Sequence, residues 1–162
     1  MLCVVKNMKE LCFGALMGVY SEANRENGAA GFPEETPERQ ELLAEQDFYQ
    51  YLRECFFPTP GAFYCIWEEN GKYVSALRLE PYRDGLLLAA LETAPEYRRK
   101  GYAAKLVAAV LAYVGEHKVY SHVSKKNAAS LRVHEKCGFS VIADYALYAD
   151  GSVLTGACTL CR

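Results

Sequence analysis

Three consecutive cations, Arg98, Arg99 and Lys100, run into Gly101-Tyr102-Ala103 and then into an alanine-rich, helix-forming stretch. Gly101 falls at or just inside the start of that helix. Backbone N–H groups there lack an intrahelical partner, and the helix dipole adds partial positive charge, so such an end suits phosphate. Gly101 lets the backbone approach the anion, and the small Ala103 keeps the next turn open. A solvated basic turn explains the same cations equally well when the segment is taken alone. Triphosphate hydrolysis is unsupported, because no G-x-x-x-x-G-K-[ST] loop is present.

A second polar group follows in NAASLRVHEKCGF. Asn127, Ser130 and His134 are spaced i, i+3, i+7, which lines amide, hydroxyl and imidazole along one helical face, opposite Leu131 and Val133. A merely solvated helix face is the plain alternative. Cys158-Thr-Leu-Cys161 has metal-site spacing, but no second pair or nearby histidine completes a ligand set. In a strand its two thiols face opposite ways, so no metal site is expected.

The elements that must position these residues can be read from periodicity. A strand is expected over 2–5 and a helix over 8–23, where Leu11, Ala15, Leu16 and Val19 recur at helical spacing. A loop with Gly28, Gly31 and Pro33 follows. Thr36-Pro37-Glu38 then starts a helix that runs to about Cys55, before Pro58 and Pro60. Two β-prone runs flank Asn70-Gly71, a hairpin signal, and Asp84-Gly85 makes a second turn. LLLAALET reads as a strand buried on both faces. The basic loop, a helix to Val114, the strand KVYSHV and a helix over 127–137 capped by Gly138 come next. The tail reads as a pair of strands around Asp150-Gly151. The order β-α-α-β-β-β-α-β-α-β-β describes a mixed sheet covered by helices.

The chain has 162 residues, 51% of them apolar, which fits one domain spanning 1–162. A net charge of −2 argues against a nucleic-acid or membrane-surface binder, and Arg98–Lys100 with Lys125 and Lys126 make a poor nucleic-acid footprint. No stretch has the length of a membrane span, and the N-terminus lacks a signal peptide's layout. A cytoplasmic protein with mostly buried free thiols among its seven cysteines is therefore expected.

The two motifs together resemble the GNAT superfamily of acyl-CoA-dependent N-acetyltransferases. Arg98-Arg99-Lys100-Gly101-Tyr102-Ala103 matches the pyrophosphate-loop pattern [QR]-x-x-G-x-[GA], with Pro95, Tyr97 and Leu106 around it. Asn127, Ser130, Lys136, Gly138 and Phe139 match the later element. The resemblance covers about residues 60–142. It implies an α+β fold with a mixed, mostly antiparallel sheet of about seven strands flanked by four helices. Two central strands would splay around the pantetheine arm of acetyl-CoA. Leu91 and Thr93 would offer backbone groups to that arm, residues Arg99–Ala103 would hold the pyrophosphate with Arg98 and Lys100 assisting, and Asn127 and Ser130 would reach the cofactor from the second motif.

The implied reaction is acetyl transfer to a primary amine of a small molecule or peptide, by direct attack in a ternary complex. The alternatives are a non-catalytic CoA-binding regulatory module or a protein N-acetyltransferase. Where the family pattern carries a tyrosine, this chain has His134. The imidazole either protonates the departing thiolate or is structural. Glu92, ending an apolar strand, is the candidate base if desolvation raises its pKa, and a solvated strand-end carboxylate otherwise. Acceptor contacts would come from regions holding Glu22, Glu26, Glu34 and Glu35 and the aromatics Tyr20, Phe32, Tyr49, Tyr145 and Tyr148. These either suit a cationic amine or simply solvate a loop and fill the core. The expected partners are acetyl-CoA and an amine, with neither nucleic acid nor membrane, and a homodimer is one assembly open to the chain.

Overall fold

A computed structural model describes all residues, 1–162. Strands β2 (Phe63–Glu69) and β3 (Lys72–Tyr82) form the hairpin expected at Asn70-Gly71. Both turn residues have positive φ, 50° and 73°, as a two-residue hairpin with right-handed twist requires. With β1 (Leu2–Val5), β4 (Gly85–Thr93), β5 (Lys118–Ser124), β6 (Ser140–Ala143) and β9 (Ala157–Cys161) they build one seven-stranded sheet in the order β1-β2-β3-β4-β5-β9-β6. Only β4 and β5 pair in parallel.

Period-two alternation gives the sheet two apolar faces. Cys65, Leu77, Leu79 and Leu88 join Leu106, Val107, Val110 and Leu111 of α4 (Tyr102–Val114) in one core cluster, against which Leu131 and Val133 of α5 (Ala128–Lys136) also pack. Tyr64, Ile66 and Ala76 face the other way, onto Leu16, Val19 and Tyr20 of α1 (Phe13–Val19) and its C-terminal cap, and onto Leu52 and Phe56. The last two lie in a single π-turn, Leu52–Phe56, that extends α3 (Pro37–Tyr51). Thr36 caps α3 as expected, accepting from the Arg39 amide.

Three features differ from the sequence reading. The expected first helix begins only at Phe13, because Asn7 and Glu10 fold residues 7–10 into a side-chain-bonded turn. The chain then breaks at Tyr20 and continues as α2 (Ser21–Gly31), so the expected loop around Gly28 is helical and five helices stand where four were expected. Gly28 is there for contact: a Cβ on it would lie 2.4 Å from the Gln40 carbonyl oxygen of α3. The tail holds four short strands rather than two, since Asp150-Gly151 joins a separate two-stranded ribbon of β7 (Ala146–Leu147) and β8 (Val153–Leu154). Cys158 and Cys161 pack in different clusters, on opposite faces of β9. No helix is long and apolar enough to cross a membrane.

The sheet opens where β4 meets β5. Their pairing runs from Gly85–Lys118 to Leu88–Ser121 and stops, although both strands continue. On the other edge of β4 the register jumps: Arg78 faces Ala89 but Ala76 faces Glu92, so Ala90 and Leu91 together oppose Leu77. This is a β-bulge, and Ala90 sits in it at φ 52°. The Tyr20 hydroxyl donates to the Ala90 carbonyl at 2.6 Å, and Tyr64 donates to Tyr20 at 3.0 Å. The last part of β4, expected to be buried on both faces, is half-buried over Ala89–Glu92 as a result. Gly28→Ala is expected to destabilise the fold by about 1–3 kcal/mol through overpacking between α2 and α3, read as a lower midpoint in urea with an unchanged slope.

Candidate active site

The loop between β4 and α4 is built from two left-handed residues, Arg99 at φ 59° and Gly101 at φ 84°. That conformation is costly for arginine and free for glycine. Their effect is to turn consecutive amides outward. None of the N–H groups of residues 99–104 bonds a backbone carbonyl, and the first bond into the helix is Lys105 N–H to Gly101 O. Six free amides at a helix N-terminus form a ready anion cradle. No heavy atom outside the adjoining chain lies within 4 Å of where a Gly101 Cβ would project, so the cradle is open to solvent.

The neighbouring cations are largely committed elsewhere. Arg98 donates from Nε to the Thr93 carbonyl at 3.1 Å, binds Glu22, and lies 3.7 Å from Glu92. Lys100 donates to the Glu96 carbonyl at 2.8 Å and covers the Tyr97 ring. Arg99 is exposed and has no ion-pair partner within 4.0 Å.

This cradle forms one wall of a cleft of ≈ 630 Å³. Leu91, Glu92 and Thr93 line it from β4, Arg98, Arg99, Gly101, Tyr102 and Ala103 from the loop and α4, and Asn127, Ser130, Val133 and Lys136 from α5. The cofactor-side residues singled out in the sequence thus converge, apart from Lys100, which lies on the loop beside the cleft without lining it. Asn127 is the N-cap of α5, with Oδ1 accepting from Ser130 N–H at 3.0 Å, which leaves its amide NH₂ free. Sequence reasoning missed Ala129 and Arg132 of the same wall. They follow from helical spacing once Asn127 is known to be the cap, because Ala129, Arg132, Val133 and Lys136 share one face.

Glu92 stands between this cleft and a second cavity of ≈ 690 Å³ on the α2–α3 side, and it lines both. Burial raises its pKa above the ordinary carboxylate value, Arg98 pulls it back, and Glu22 and Glu26 push it up again. A half-buried carboxylate with a raised pKa, set between two cavities, can accept a proton there.

The sequence pattern of the Acetyltransferase (GNAT) family matches residues 20–139. The chain belongs to the GNAT family, and it is an acyltransferase. No curated protein matches it by sequence. Its fold is shared with solved structures at low identity. The PaiA N-acetyltransferase of Thermoplasma acidophilum, solved in complex with coenzyme A, superposes with a TM-score of 0.66 at 14% identity, covering 100% of this chain and 98% of that one. An N-acetyltransferase of Staphylococcus aureus Mu50 gives 0.67 at 14% identity, covering 99% and 100%. The ribosomal-protein-S18-alanine N-acetyltransferase of Escherichia coli gives 0.59 at 18%, covering 99% and 92%.

His134, for which the sequence leaves an acid role and a structural role both open, lies away from the cleft. It is 1% exposed, does not line the cleft, and packs edge-on against Phe139 with ring centroids 5.0 Å apart. Its Nδ1 lies 2.8 Å from the Ser130 carbonyl, which can only accept, so Nδ1 carries the proton. Nε2 is buried without a partner. Burial lowers the His134 pKa, and the ring is neutral with its one proton committed to the helix backbone. Of the two readings this geometry supports the structural one, since the ring faces Phe139 and the α5 backbone, and not the cleft. Since its folded-state pKa lies below its unfolded value of about 6.5, its contribution to stability is present above that pH and is lost as pH falls below it. His122 shifts in the same direction. The two histidines should therefore lower the melting temperature on acidification from pH 7 to pH 5, against the opposite contribution of Glu92, and in His134→Gln the part due to that ring should be missing.

Proposed function

We propose that this GNAT acyltransferase transfers the acetyl group of acetyl-CoA to a primary amine by direct attack in a ternary complex. The single observation that carries the proposal is the placement of Glu92, between an amide cradle suited to a pyrophosphate and a separate cavity that can admit an acceptor. Acetyl-CoA would supply an activated thioester. The residues present fit it: six unpartnered amides at 99–104 for the pyrophosphate, and a β4 edge beyond Leu88 that lacks a strand partner, for the amide groups of the pantetheine arm.

In this reading Leu91 and Thr93 hold the arm through their backbone, and Asn127 reaches it with its free amide NH₂. A backbone N–H near Thr93 polarises the acetyl carbonyl. Glu92, as carboxylate, takes the proton of the incoming ammonium so that a neutral amine attacks. As the C–S bond breaks, the proton shed by the acylated nitrogen passes to the departing sulfur directly or through water; because a thiol titrates near pH 8.5, the thiolate can leave at neutral pH without a dedicated acid. The burial of His134 therefore does not stand against transfer.

Two measurements test this. Saturating acetyl-CoA, at a hundredfold excess over its dissociation constant, should raise the melting temperature by about 5–10 °C, and Gly101→Val, strained at φ 84°, should lose most of that shift. No shift in the wild type would overturn the proposal. Glu92→Gln should lower kcat about 100-fold or more, and the wild-type rate should fall as pH drops through the raised pKa of Glu92. The same raised pKa means that the Glu92 carboxylate stabilises nothing at pH 7: its contribution is present at low pH and lost as it ionises. Glu92→Gln should accordingly melt no lower than the wild type at pH 7, which separates loss of chemistry from loss of fold.

A further inference from the structure

Arg78 is the one cation in the α2–α3 cavity, and it has no ion-pair partner within 4.0 Å. It stands on β3 two residues from Ala76, the register partner of Glu92, so Arg78 and Glu92 share one face of the sheet, of the order of 7 Å apart along the strand. The guanidinium carbon lies 4.9 Å from the centre of the Tyr51 ring and 5.9 Å from that of Phe56. Its Nε is buried and bonds nothing, and no carboxylate lies within ion-pair distance. Arg78 as a whole is half-buried, so it keeps part of its hydration, and the aromatic faces offset only part of the rest; an anion paired through two parallel N–H···O bonds would restore more. The other charged residues of this cavity are Glu92 and Asp47, both acidic. At ≈ 690 Å³ it has the size of a small-molecule site.

Resting on the amine-acetylation reading above, we propose that the acceptor is a small aminocarboxylate, bound through its carboxylate to Arg78 and presenting its amine to Glu92. A guanidinium at one end and the Glu92 carboxylate farther along the same face match a zwitterion. They disfavour a polyamine, whose second ammonium would face Arg78, and a peptide amine, which carries no carboxylate at that distance.

The test is a set of matched acceptors with the full-length protein and acetyl-CoA, followed by release of free thiol: amino acids, their carboxamides, and the corresponding decarboxylated amines. The wild type is expected to prefer the amino acids. Arg78→Gln should raise KM for them, lowering kcat/KM about tenfold or more, with little change for the carboxamides; Arg78→Lys should recover part of the loss. Equal or better use of the carboxamides or decarboxylated amines by the wild type overturns the proposal, and this arm needs no variant to fold. An unchanged preference in a folded Arg78→Gln overturns it as well. Failure to acetylate any amine, with no thermal shift by acetyl-CoA, instead defeats the reading on which it rests.

Discussion

The candidate site depends on β4 letting go of β5. The two strands pair for four residues and then part, because the bulge at Ala90 and Leu91 bends β4 away. Holding a non-glycine residue at φ 52° costs free energy, and the Tyr64–Tyr20–Ala90 hydrogen-bond relay offsets it from the opposite core. The opening lies at the carboxyl ends of two parallel strands, with the N-terminus of α4 directly after one of them. Open α/β sheets place ligands at such a point for the same reason: backbone groups and helix ends converge there without partners.

The electrostatics of the opening run against a first impression of the basic loop. Arg98 spans Thr93, Glu22 and Glu92, and Lys100 is tied to Glu96 and Tyr97, so these two charges lock the loop and α2 to the end of β4. Exposed ion pairs of this kind contribute little to stability. Their value is geometric, since they fix the strand end from which Glu92 projects. Free amides, set by Arg99 and Gly101, make the cradle proposed for the anion. Glu92 in turn feels opposing influences, with burial and two acidic neighbours on one side and Arg98 on the other, and burial is the largest.

Much of the cofactor side was legible in the sequence because it is encoded locally. A glycine at a helix start acts through its own neighbours in the chain, so its position carries its meaning; Asn127, read as one residue of a helical face, acts locally too, but as the cap of α5. The hairpin at Asn70-Gly71 and the Thr36 cap belong to the same class. Gly28 shows the limit: taken as a loop signal, it is a helical contact residue whose reason lies in Gln40 of another helix. His134 shows it more sharply. Helical spacing put it on a face with Asn127 and Ser130, yet the ring turns into the core against Phe139 and its proton goes to the turn before it.

By itself, then, the sequence determined the element order of the central sheet, the amide cradle and the elements around the cofactor cleft, because hydrophobic period, caps and turn residues are short-range physics. Only the tertiary structure decided which way His134 points, that β4 bulges at an alanine, and that Arg78 is left unpaired in a cavity with Glu92. Those depend on burial and on partners brought together from Tyr20, Tyr51 and Tyr64, far apart along the chain. Burial is a property of the packed whole, and it sets both the neutral state of His134 and the raised pKa of Glu92.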